Sequence, residues 1–423
     1  MNVELINTGS ELLLGRVLNT HQQWLCRRLT DLGYSVSRQV AVPDSGPAIQ
    51  QAAREALARA DLVITTGGLG PTSDDLTREC LARMLGRPLR EDPALRARLK
   101  EFFEARHRAM PERTRAQAMV PDGAVVLPNL HGTAPGLALE VAPSPFRSGG
   151  RSSWLILLPG PPRELRPLFS DSVAPFLARV LPPADQFVSR TLRTTGLGES
   201  VVEETIGGPL QALVQAGLEL GYCARPGQVD VRLAARGAGA QERVDEAGRI
   251  VANLLGPRLY AVGEEELEAV LVRLLTARNQ TLALAESCTG GCIAHRVTNV
   301  PGASAVLLAA LVTYSNDAKR KFLGVRPETI AQHGAVSEPV GREMAEGARR
   351  ETGADYALSV TGIAGPAGGT AAKPVGTVFV SLAGPFPTLV ERHFNPYDRE
   401  TFKEVTAQQA LDLLRRTASL GAG

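Results

Sequence analysis

The stretch that decides the fold is Leu62-Val63-Ile64-Thr65-Thr66-Gly67-Gly68-Leu69-Gly70-Pro71-Thr72-Ser73-Asp74-Asp75. It opens with apolar and β-branched residues typical of a buried strand, and glycines follow at once. Val3–Thr8 and Ser35–Val42 are further strand candidates, and helical patterns alternate with them. This alternation predicts a largely parallel sheet with helices on both faces. Because ligands bind such sheets at the carboxyl ends of the strands, the loop 67–75 is a candidate site.

Patterning along the rest of the chain predicts three segments, with boundaries at 1–168, 169–262 and 263–423. In the first, Leu137–Val141 and Trp154–Leu158 are predicted to pair as a hairpin around a polar, flexible surface tip at 144–153. The second is predicted to be a small α+β module, and the third again alternates strands with helices. We therefore expect an α/β protein with three-layer first and last domains and a small α+β domain between them.

Composition excludes several classes of protein. The 423 residues include 46 Lys plus Arg and 44 Asp plus Glu, and the net charge of +2 argues against binding of nucleic acid through bulk charge. The five cysteines form no Cys-x-x-Cys pair, which disfavours a disulfide framework or a structural zinc site and favours a reducing cytoplasm. The longest apolar run, 303–312, is too short to cross a bilayer. We expect a cytoplasmic protein with no membrane partner.

The loop at the end of the third strand combines glycines with adjacent carboxylates. Gly67, Gly68 and Gly70 allow the backbone to present N–H groups to phosphate oxygens. Asp74 and Asp75 would then hold a divalent cation against the phosphates. The alternative is a tight turn in which one of the two aspartates caps the following helix.

A second glycine-rich turn, Glu286-Ser287-Cys288-Thr289-Gly290-Gly291, lies between a predicted strand and a predicted helix. The N–H groups of Thr289, Gly290 and Gly291 would be free at the helix N-terminus, which suits a Ser287 nucleophile beside an oxyanion hole. The alternative is a capping serine or threonine with no chemistry. Cys288 is a rival nucleophile, because a thiol at a helix N-terminus becomes more acidic, or else a small buried side chain.

A serine nucleophile needs a base, and the histidines of this segment show no triad spacing. Lys319 and Tyr314 are the candidates, since a buried lysine can lose its proton near neutral pH. The alternative for Lys319 is a solvated helix charge. Arg399 could pair with a phosphate or form a surface salt bridge, and the Gly-rich loop 361–376 could bind a phosphate or ribose.

The first segment resembles the molybdopterin-binding (MoCF) fold at the front of the CinA family. The matching motifs are Gly9–Gly15, Thr65–Thr77, Asn129–Gly136 and Leu158–Glu164. In that family the domain is linked to metal-dependent pyrophosphate hydrolysis of ADP-ribose, so the resemblance implies that activity here, with a divalent ion of unspecified identity. The chain departs from the family pattern at 19–21, where Asn-Thr-His replaces Asp-Thr-Asn.

The last segment resembles the C-terminal domain of CinA, the nicotinamide mononucleotide (NMN) amidohydrolase family, through 285–291, 312–316, 334–339 and 361–376. By that resemblance NMN is deamidated without a cofactor. The resemblance implies that Ser287 is the nucleophile and that Lys319 and Tyr314 assist proton transfer. It further implies that Thr361 and Gly362 line the amide pocket and that Arg399 binds the nucleotide phosphate.

The middle segment resembles the family's KH-type module but lacks a Gly-x-x-Gly loop at 196–199, so a nucleic-acid partner is not expected. Symmetric dimers are common among soluble proteins, and we expect a homodimer. The prediction is therefore a bifunctional pyridine-nucleotide salvage enzyme. The competing hypothesis is a binding protein that holds a pterin or nucleotide without turnover.

Overall fold

The structure is a computed structural model, and it describes residues 1–142, 152–183 and 185–420. The chain divides into two compact units, Met1–Phe187 and Val188–Gly423. Most of the predicted surface tip at 144–153 lies outside the described residues. The two strands on either side of it, at 136–141 and 153–158, pair antiparallel as the sequence predicts.

The first unit is a three-layer α/β structure, as predicted. Its main sheet has the strand order β2-β1-β3-β8-β7-β6, in which β2, β1, β3 and β8 are mutually parallel, and a short β4–β5 ribbon stands apart. The strands are β1 Asn2–Thr8, β2 Ser35–Val42, β3 Leu62–Thr66, β4 Leu89–Glu91, β5 Met119–Pro121, β6 Val125–Leu127, β7 Gly136–Val141 and β8 Ser153–Leu158.

Helices cover both faces of this sheet. Leu81 and Leu99 pack on one face in one apolar core, and Leu25 and Phe169 pack on the other in a second core. The helices are α1 Ser10–Leu13, α2 Thr20–Asp31, α3 Gly46–Leu57, α4 Thr77–Met84, α5 Pro93–Glu104, α6 Pro162–Leu168 and α7 Ala174–Val180, with a 3₁₀ segment Glu112–Ala118 and a π-helical segment Phe169–Val173.

Two of the boundaries that differ from the sequence prediction have a clear physical reason. The sequence pattern also predicts a helix at Ile49–Ala60, and the structure has it as α3, Gly46–Leu57. It begins earlier because Ser45 and Pro47 form a favourable helix start. The helical run that starts at Pro162 continues through α7 to Val180, past the predicted domain boundary at 168. Leu168, Phe169 and Leu177 along this run are buried in the core of the first unit, which holds the whole run there.

The second unit begins with a small α+β module whose sheet has the order β10-β11-β9-β12. Helices α8 and α9 supply one side of its core through Val202, Ile206, Val244 and Val251. The elements are β9 Phe187–Thr195, α8 Glu199–Gln215, β10 Leu218–Arg225, β11 Gln228–Arg236, α9 Ala240–Leu255 and β12 Leu259–Val262.

The rest of the second unit is again three-layered, with the sheet order β14-β13-β15-β16-β17. Strands β14, β13 and β15 are parallel, and β15, β16 and β17 are antiparallel neighbours. The sequence pattern predicts an edge hairpin of Val375–Leu382 and Thr388–Phe394, and the pairing of β16 with β17 confirms it. The elements are α10 Leu267–Ala277, β13 Leu282–Glu286, α11 Cys292–Thr298, β14 Leu307–Val312, α12 Asn316–Leu323, α13 Pro327–His333, α14 Glu338–Thr352, β15 Tyr356–Gly362, β16 Thr377–Gly384, β17 Phe386–Phe394 and α15 Arg399–Leu420.

Two apolar cores hold this sheet. Leu271, Ile293 and Leu411 of α10, α11 and α15 pack against one face, and Leu323 and Met344 of α12 and α14 pack against the other. The carboxyl ends of β13, β14 and β15 consequently meet at one edge of the sheet, where the Ser287 turn lies. Within the described residues, no helix is both long enough and apolar enough to span a membrane.

Candidate functional site

Ser287 is the first residue after β13, and backbone hydrogen bonds fix its position. Its N–H donates to the Val360 carbonyl of β15 (3.1 Å), and the carbonyl of the preceding Glu286 accepts from the Thr313 N–H after β14 (2.8 Å). The Ser287 side chain is nearly buried, with 9% of its surface exposed. The parallel strands on both sides therefore hold this serine rigidly at the carboxyl edge of the sheet.

Lys319 lies on α12, whose start is capped by the Ser315 hydroxyl. Its side chain is 1% exposed, so the alternative of a solvated helix charge is wrong. Its Nζ lies 2.9 Å from Ser287 Oγ, 2.9 Å from the Thr313 carbonyl oxygen and 3.2 Å from the Tyr314 carbonyl oxygen. Burial lowers the pKa of this amine below the ordinary lysine value of 10.5.

The three oxygen atoms around Lys319 Nζ indicate where its N–H groups point when the amine is charged and when it is neutral. A charged amine has three N–H donors for three oxygen atoms. A neutral amine keeps two N–H groups on the two carbonyls, which leaves its lone pair directed at the Ser287 hydroxyl. The amine can therefore accept the serine proton without moving.

Glu286 is the residue whose role the sequence did not reveal. Its carboxylate is 1% exposed and accepts hydrogen bonds from the N–H groups of Gly291 (3.0 Å), Ile293 (3.2 Å) and Ala294 (2.8 Å), and from the Thr289 hydroxyl (2.7 Å). It thus neutralises the positive end of α11 from within the core. The sequence feature that could have indicated this role is a glutamate directly before a strand-to-helix turn.

The Glu286 contacts correct the prediction that the N–H groups of Thr289, Gly290 and Gly291 are all free. The Gly291 amide is bound by Glu286, and the Gly290 amide donates to the Ser287 carbonyl at 3.1 Å. In the part of the chain that the structure describes, the amides of Cys288 and Thr289 have no carbonyl or carboxylate acceptor. Both amides lie against the Cys288 sulfur and lower the pKa of its thiol, and they are the remaining candidates of the turn for oxyanion donors.

The rival nucleophile Cys288 is buried in the apolar core of the domain, with 5% of its surface exposed. Burial raises the pKa of its thiol to about 12, against the opposing effect of the nearby amides. A thiolate is the reactive form of cysteine, and this site does not supply it at neutral pH. The geometry therefore favours Ser287.

Tyr314 and Arg399 form the outer rim of this site. The Tyr314 side chain is 60% exposed, and its hydroxyl oxygen accepts a hydrogen bond from the Arg399 guanidinium at 2.7 Å. A second guanidinium nitrogen donates to the Gly365 carbonyl at 2.7 Å. Arg399 thus ties the Gly-rich loop to Tyr314, rather than forming the surface salt bridge considered as its alternative.

Thr361 and Gly362 end the strand next to Ser287. The Thr361 hydroxyl donates to the Ala335 carbonyl at 2.8 Å, and the side chain is 1% exposed. A Cβ atom on Gly362 would lie 2.9 Å from both the Thr377 carbonyl oxygen and the Val378 Cβ. Both residues thus fit a tightly packed strand end, and that packing is itself sufficient reason for the residue types found there.

The first unit contains a cleft of about 540 Å³ at the carboxyl ends of β1 and β3. The predicted residues Gly67, Gly68, Gly70, Asp74 and Asp75 all line it. Three further carboxylates line the same space, those of Glu11, Asp44 and Glu164, and none of the described residues that line the cleft is a lysine or an arginine.

The glycines of this loop are required by close packing. Gly67 and Gly68 have φ values of 96° and 67°, and a Cβ on them would lie 2.7 Å from Thr8 Oγ1 and 2.1 Å from Thr77 Oγ1. A Cβ on Gly70 would lie 2.4 Å from the Asp75 carboxylate. The backbone of the loop therefore lies directly on the strand ends, with room for a ligand above it.

The two aspartates occupy different environments. Asp75 accepts hydrogen bonds from the backbone N–H (2.9 Å) and the hydroxyl of Thr72. Asp74 is exposed, and hydrogen bonding within the turn lowers its pKa. Leu76 occupies the N-cap position of α4 and neither aspartate side chain caps the helix, so the capping alternative is wrong.

Across the described residues, no group of three or more His, Cys, Asp or Glu side chains is arranged to hold a metal ion unaided. One or two carboxylates that share a cation with substrate phosphates are, however, a usual Mg²⁺ site. Asp74 and Asp75 fit that second kind of site.

At the position where the chain departs from the family pattern, Asn19 has a structural role, because its side-chain oxygen accepts a hydrogen bond from the Gln22 N–H at the start of α2.

His21 and Gln117 line the cleft and were not predicted from the sequence. His21 Nδ1 and Gln117 Oε1 are buried and have no hydrogen-bond partner among the described residues. Burial raises the pKa of Glu164, which accepts from Asn129 at 3.0 Å.

Comparisons with known proteins agree with this arrangement. Three family descriptions match consecutive parts of the chain: a probable molybdopterin binding domain at 4–179, the damage-inducible protein CinA KH domain at 189–261 and the CinA C-terminal domain at 264–418. A CinA-like protein of Akkermansia muciniphila is 45% identical over 414 residues, covering 97% of this chain and 96% of its own. The chain belongs to the CinA family.

Further relatives in the family extend over the same length. A CinA-like protein of Kosmotoga olearia is 41% identical over 420 residues, covering 98% of each chain. A crystal structure of the competence/damage inducible protein CihA of Agrobacterium tumefaciens is 40% identical and covers 36% of this chain and 96% of its own, with a TM-score of 0.34. Membership of the CinA family rests on the full-length sequence matches.

Proposed function

We propose that residues 264–418 of this CinA-family protein hydrolyse the carboxamide of NMN to nicotinate mononucleotide and ammonia. The observation that carries the proposal is the 2.9 Å contact between the buried Lys319 amine and Ser287 Oγ. A serine hydroxyl is a weak nucleophile unless an adjacent base takes its proton. A lysine whose pKa is lowered by burial is such a base, and this one touches the serine.

The proposed reaction proceeds through an acyl-enzyme. Ser287 Oγ bonds to the carboxamide carbon while its proton passes to the neutral Lys319 amine. The resulting tetrahedral intermediate collapses, the C–N bond breaks, and Lys319 returns the proton to the departing nitrogen as ammonia leaves. Water then attacks the ester carbon while Lys319 takes its proton. The bond between the acyl carbon and Ser287 Oγ breaks, Lys319 returns the proton to Ser287 Oγ, and nicotinate mononucleotide is released.

The remaining groups suit the substrate in this proposal. The amides of Cys288 and Thr289 would bind the developing oxyanion, and each such donor contributes about 3–4 kcal/mol to the barrier. Arg399 and Tyr314 at the exposed rim would meet the ribose phosphate. Thr361 and Gly362, at the end of the neighbouring strand, would form the wall of the amide pocket.

Ammonia release from NMN tests this proposal. Ser287→Ala should reduce the rate by at least about 10³-fold, because the nucleophile is lost. The matched control is Cys288→Ala, one residue along the same turn, which should keep most of the rate. Loss of activity in the cysteine variant together with retention in the serine variant would overturn the assignment.

We also propose that the first unit cleaves ADP-ribose to AMP and ribose 5-phosphate. The observation that supports it is a cleft with five carboxylates and no cationic side chain among the described residues that line it. Such a cleft repels a bare pyrophosphate and accepts one that arrives with a divalent cation. When bound near Asp74 and Asp75, that cation would neutralise the developing charge on the phosphates.

Product analysis after incubation with ADP-ribose tests this second activity. Excess EDTA, or the double variant Asp74→Asn/Asp75→Asn, should reduce AMP formation by about 10²-fold or more while ammonia release from NMN is unchanged. The control Glu101→Gln/Glu104→Gln removes two exposed carboxylates of α5 and should have no effect. Ligand binding without product would favour the alternative of a nucleotide-binding protein.

A further inference from the structure

The segment 10–19, which joins β1 to α2 and includes the short helix α1, exposes much apolar surface beside the N-terminal cleft. Four of the six residues 13–18 are large and apolar, and their exposed fractions are 54% for Leu13, 70% for Leu14, 54% for Val17 and 86% for Leu18. Val17 and Leu18 line the cleft, whereas Leu13 and Leu14 are not among its lining residues. Packing does not account for side chains so exposed, and a cluster of them beside a cleft indicates a binding surface.

Hydrogen bonds at both ends hold this segment at the cleft. The Ser10 N–H donates to the Asp44 carboxylate at 2.8 Å, and the Asp44 N–H donates to the Ser10 hydroxyl at 3.2 Å. At the other end, the Asn19 side-chain oxygen accepts from the Gln22 N–H at 3.1 Å. The two apolar side chains that line the cleft are therefore presented by a backbone that is anchored on both sides.

The charges of the cleft decide which part of a ligand meets Val17 and Leu18. The phosphates of the proposed substrate belong with their cation at Asp74 and Asp75. The five carboxylates of the lining disfavour any other anionic group. The part of the ligand that contacts the two apolar side chains is consequently uncharged.

The exposure of Val17 and Leu18 favours a flat ring. Each leaves more than half of its side chain free, so the pair can cover one face of a ligand and leave the remainder in water. A heteroaromatic base has apolar faces and a polar edge, so it gains from cover on one face while its edge stays hydrated. An acyl chain is apolar on every side and needs an enclosed groove, and a sugar offers mainly hydroxyls.

We propose that Val17 and Leu18 form the base platform of the N-terminal cleft, on which the adenine ring of ADP-ribose lies by its face. The inference rests on the proposed use of ADP-ribose by this cleft and adds the part of the substrate that the acidic loop does not bind. Contact between the ring and the platform removes apolar surface of both from water. AMP should therefore bind more tightly than ribose 5-phosphate, which carries the same phosphate without the base.

Binding of AMP and of ribose 5-phosphate to the full chain, measured by calorimetry with Mg²⁺, tests the platform. The wild type should bind AMP about 10-fold or more tightly than ribose 5-phosphate, and Val17→Ser/Leu18→Ser should bring the two affinities within about twofold. The same variant should raise KM for ADP-ribose about 10-fold and change kcat by less than about twofold, because the contact is the same in the ground state and the transition state.

The matched control is Leu13→Ser/Leu14→Ser, which removes equally exposed apolar side chains of the same segment outside the cleft lining and should keep the preference for AMP. No preference in the wild type, a preference that survives in Val17→Ser/Leu18→Ser, or an equal loss in the control would each overturn the inference. A change of oligomeric state in both double variants, with AMP binding unchanged, would instead assign the segment to contact with a second copy and overturn it too.

The binding measurement separates this inference from the proposed hydrolysis, because it needs no turnover. A preference for AMP that disappears in Val17→Ser/Leu18→Ser supports the platform even when ADP-ribose is not cleaved. Cleavage of ADP-ribose by a protein that binds AMP and ribose 5-phosphate equally would support the hydrolysis and remove the platform.

Discussion

The two candidate sites differ in where their charge comes from. The N-terminal cleft is open and acidic, with an exposed Asp74, and lacks a cationic side chain among its described lining residues. The C-terminal centre is closed around the buried amine of Lys319, which contacts Ser287. An open site can take up a cation from solution together with its substrate. A closed site instead needs a base within the protein, and burial lowers the pKa of that base.

The largest effect that would sharpen this comparison comes from Lys319. Lys319→Met removes the only base in contact with Ser287 Oγ among the described residues, and we expect ammonia release from NMN to fall by about 10²–10⁴-fold. Cleavage of ADP-ribose should be unaffected. Arg320→Met, the exposed neighbour on α12, is the control and should keep both activities.

The pH dependence of the same site follows from the lowered pKa of Lys319. Only the neutral amine can take the serine proton, so kcat/KM for NMN should rise with pH and reach its plateau below 10.5, the ordinary lysine value. Lys319→Arg should remove this limb together with the activity, because a guanidinium stays charged. A profile that still rises at pH 10.5 would mean that burial does not tune the base.

Glu286 should give an intermediate effect on both stability and rate. In Glu286→Gln, the side-chain NH₂ replaces an oxygen that accepts amide hydrogens, and we expect a loss of about 1–3 kcal/mol in the free energy of unfolding. Because the Ser287 turn would shift, kcat for NMN should fall about 10-fold with little change in KM. Urea unfolding and steady-state kinetics measure the two quantities.

The control for this variant is Glu338→Gln at the first turn of α14, where the carboxylate is exposed and pairs with Arg342. Such a pair contributes little, and stability should change by less than about 1 kcal/mol. A Glu286→Gln protein that is destabilised but keeps its full kcat would reduce Glu286 to a helix cap and remove its positioning role.

Local pattern was sufficient for much of the fold. The sequence pattern predicts a strand at Leu62–Thr66 and helices at Leu267–Ala277 and Cys292–Thr298. The structure has the same bounds, because the period of apolar residues is a local property. Helix α14 was not predicted, since part of its packing face is glycine: a Cβ on Gly347 would lie 1.9 Å from the Leu323 carbonyl oxygen. A helix that packs so closely through glycine resembles a loop in sequence.

The sites were predictable in kind but not in their contacts. Glycines and acids after a strand marked the N-terminal loop, and a serine at a strand-to-helix turn marked the other. The pairing of Ser287 with Lys319 joins residues 32 apart in the chain, and the capping by Glu286 depends on amides five to eight residues away. Such contacts arise from tertiary packing, which no local period encodes.

The smallest expected effect belongs to Tyr314, and it tests where the closed site ends. Its hydroxyl accepts from Arg399 and its side chain is 60% exposed, whereas only its backbone carbonyl reaches Lys319. Tyr314→Phe should therefore raise KM for NMN a few-fold, through the loss of one hydrogen bond at the rim, with kcat reduced less than about 10-fold.

A fall in kcat of about 10²-fold or more, with KM unchanged, would instead make the Tyr314 hydroxyl a proton-transfer group, since general acid–base catalysts contribute at that level. Phe322→Leu, an exposed aromatic of α12, is the control for the loss of rim surface. The change in kcat relative to the change in KM in Tyr314→Phe thus decides whether proton transfer involves the Tyr314 hydroxyl at the rim or only Lys319, which contacts the Tyr314 carbonyl.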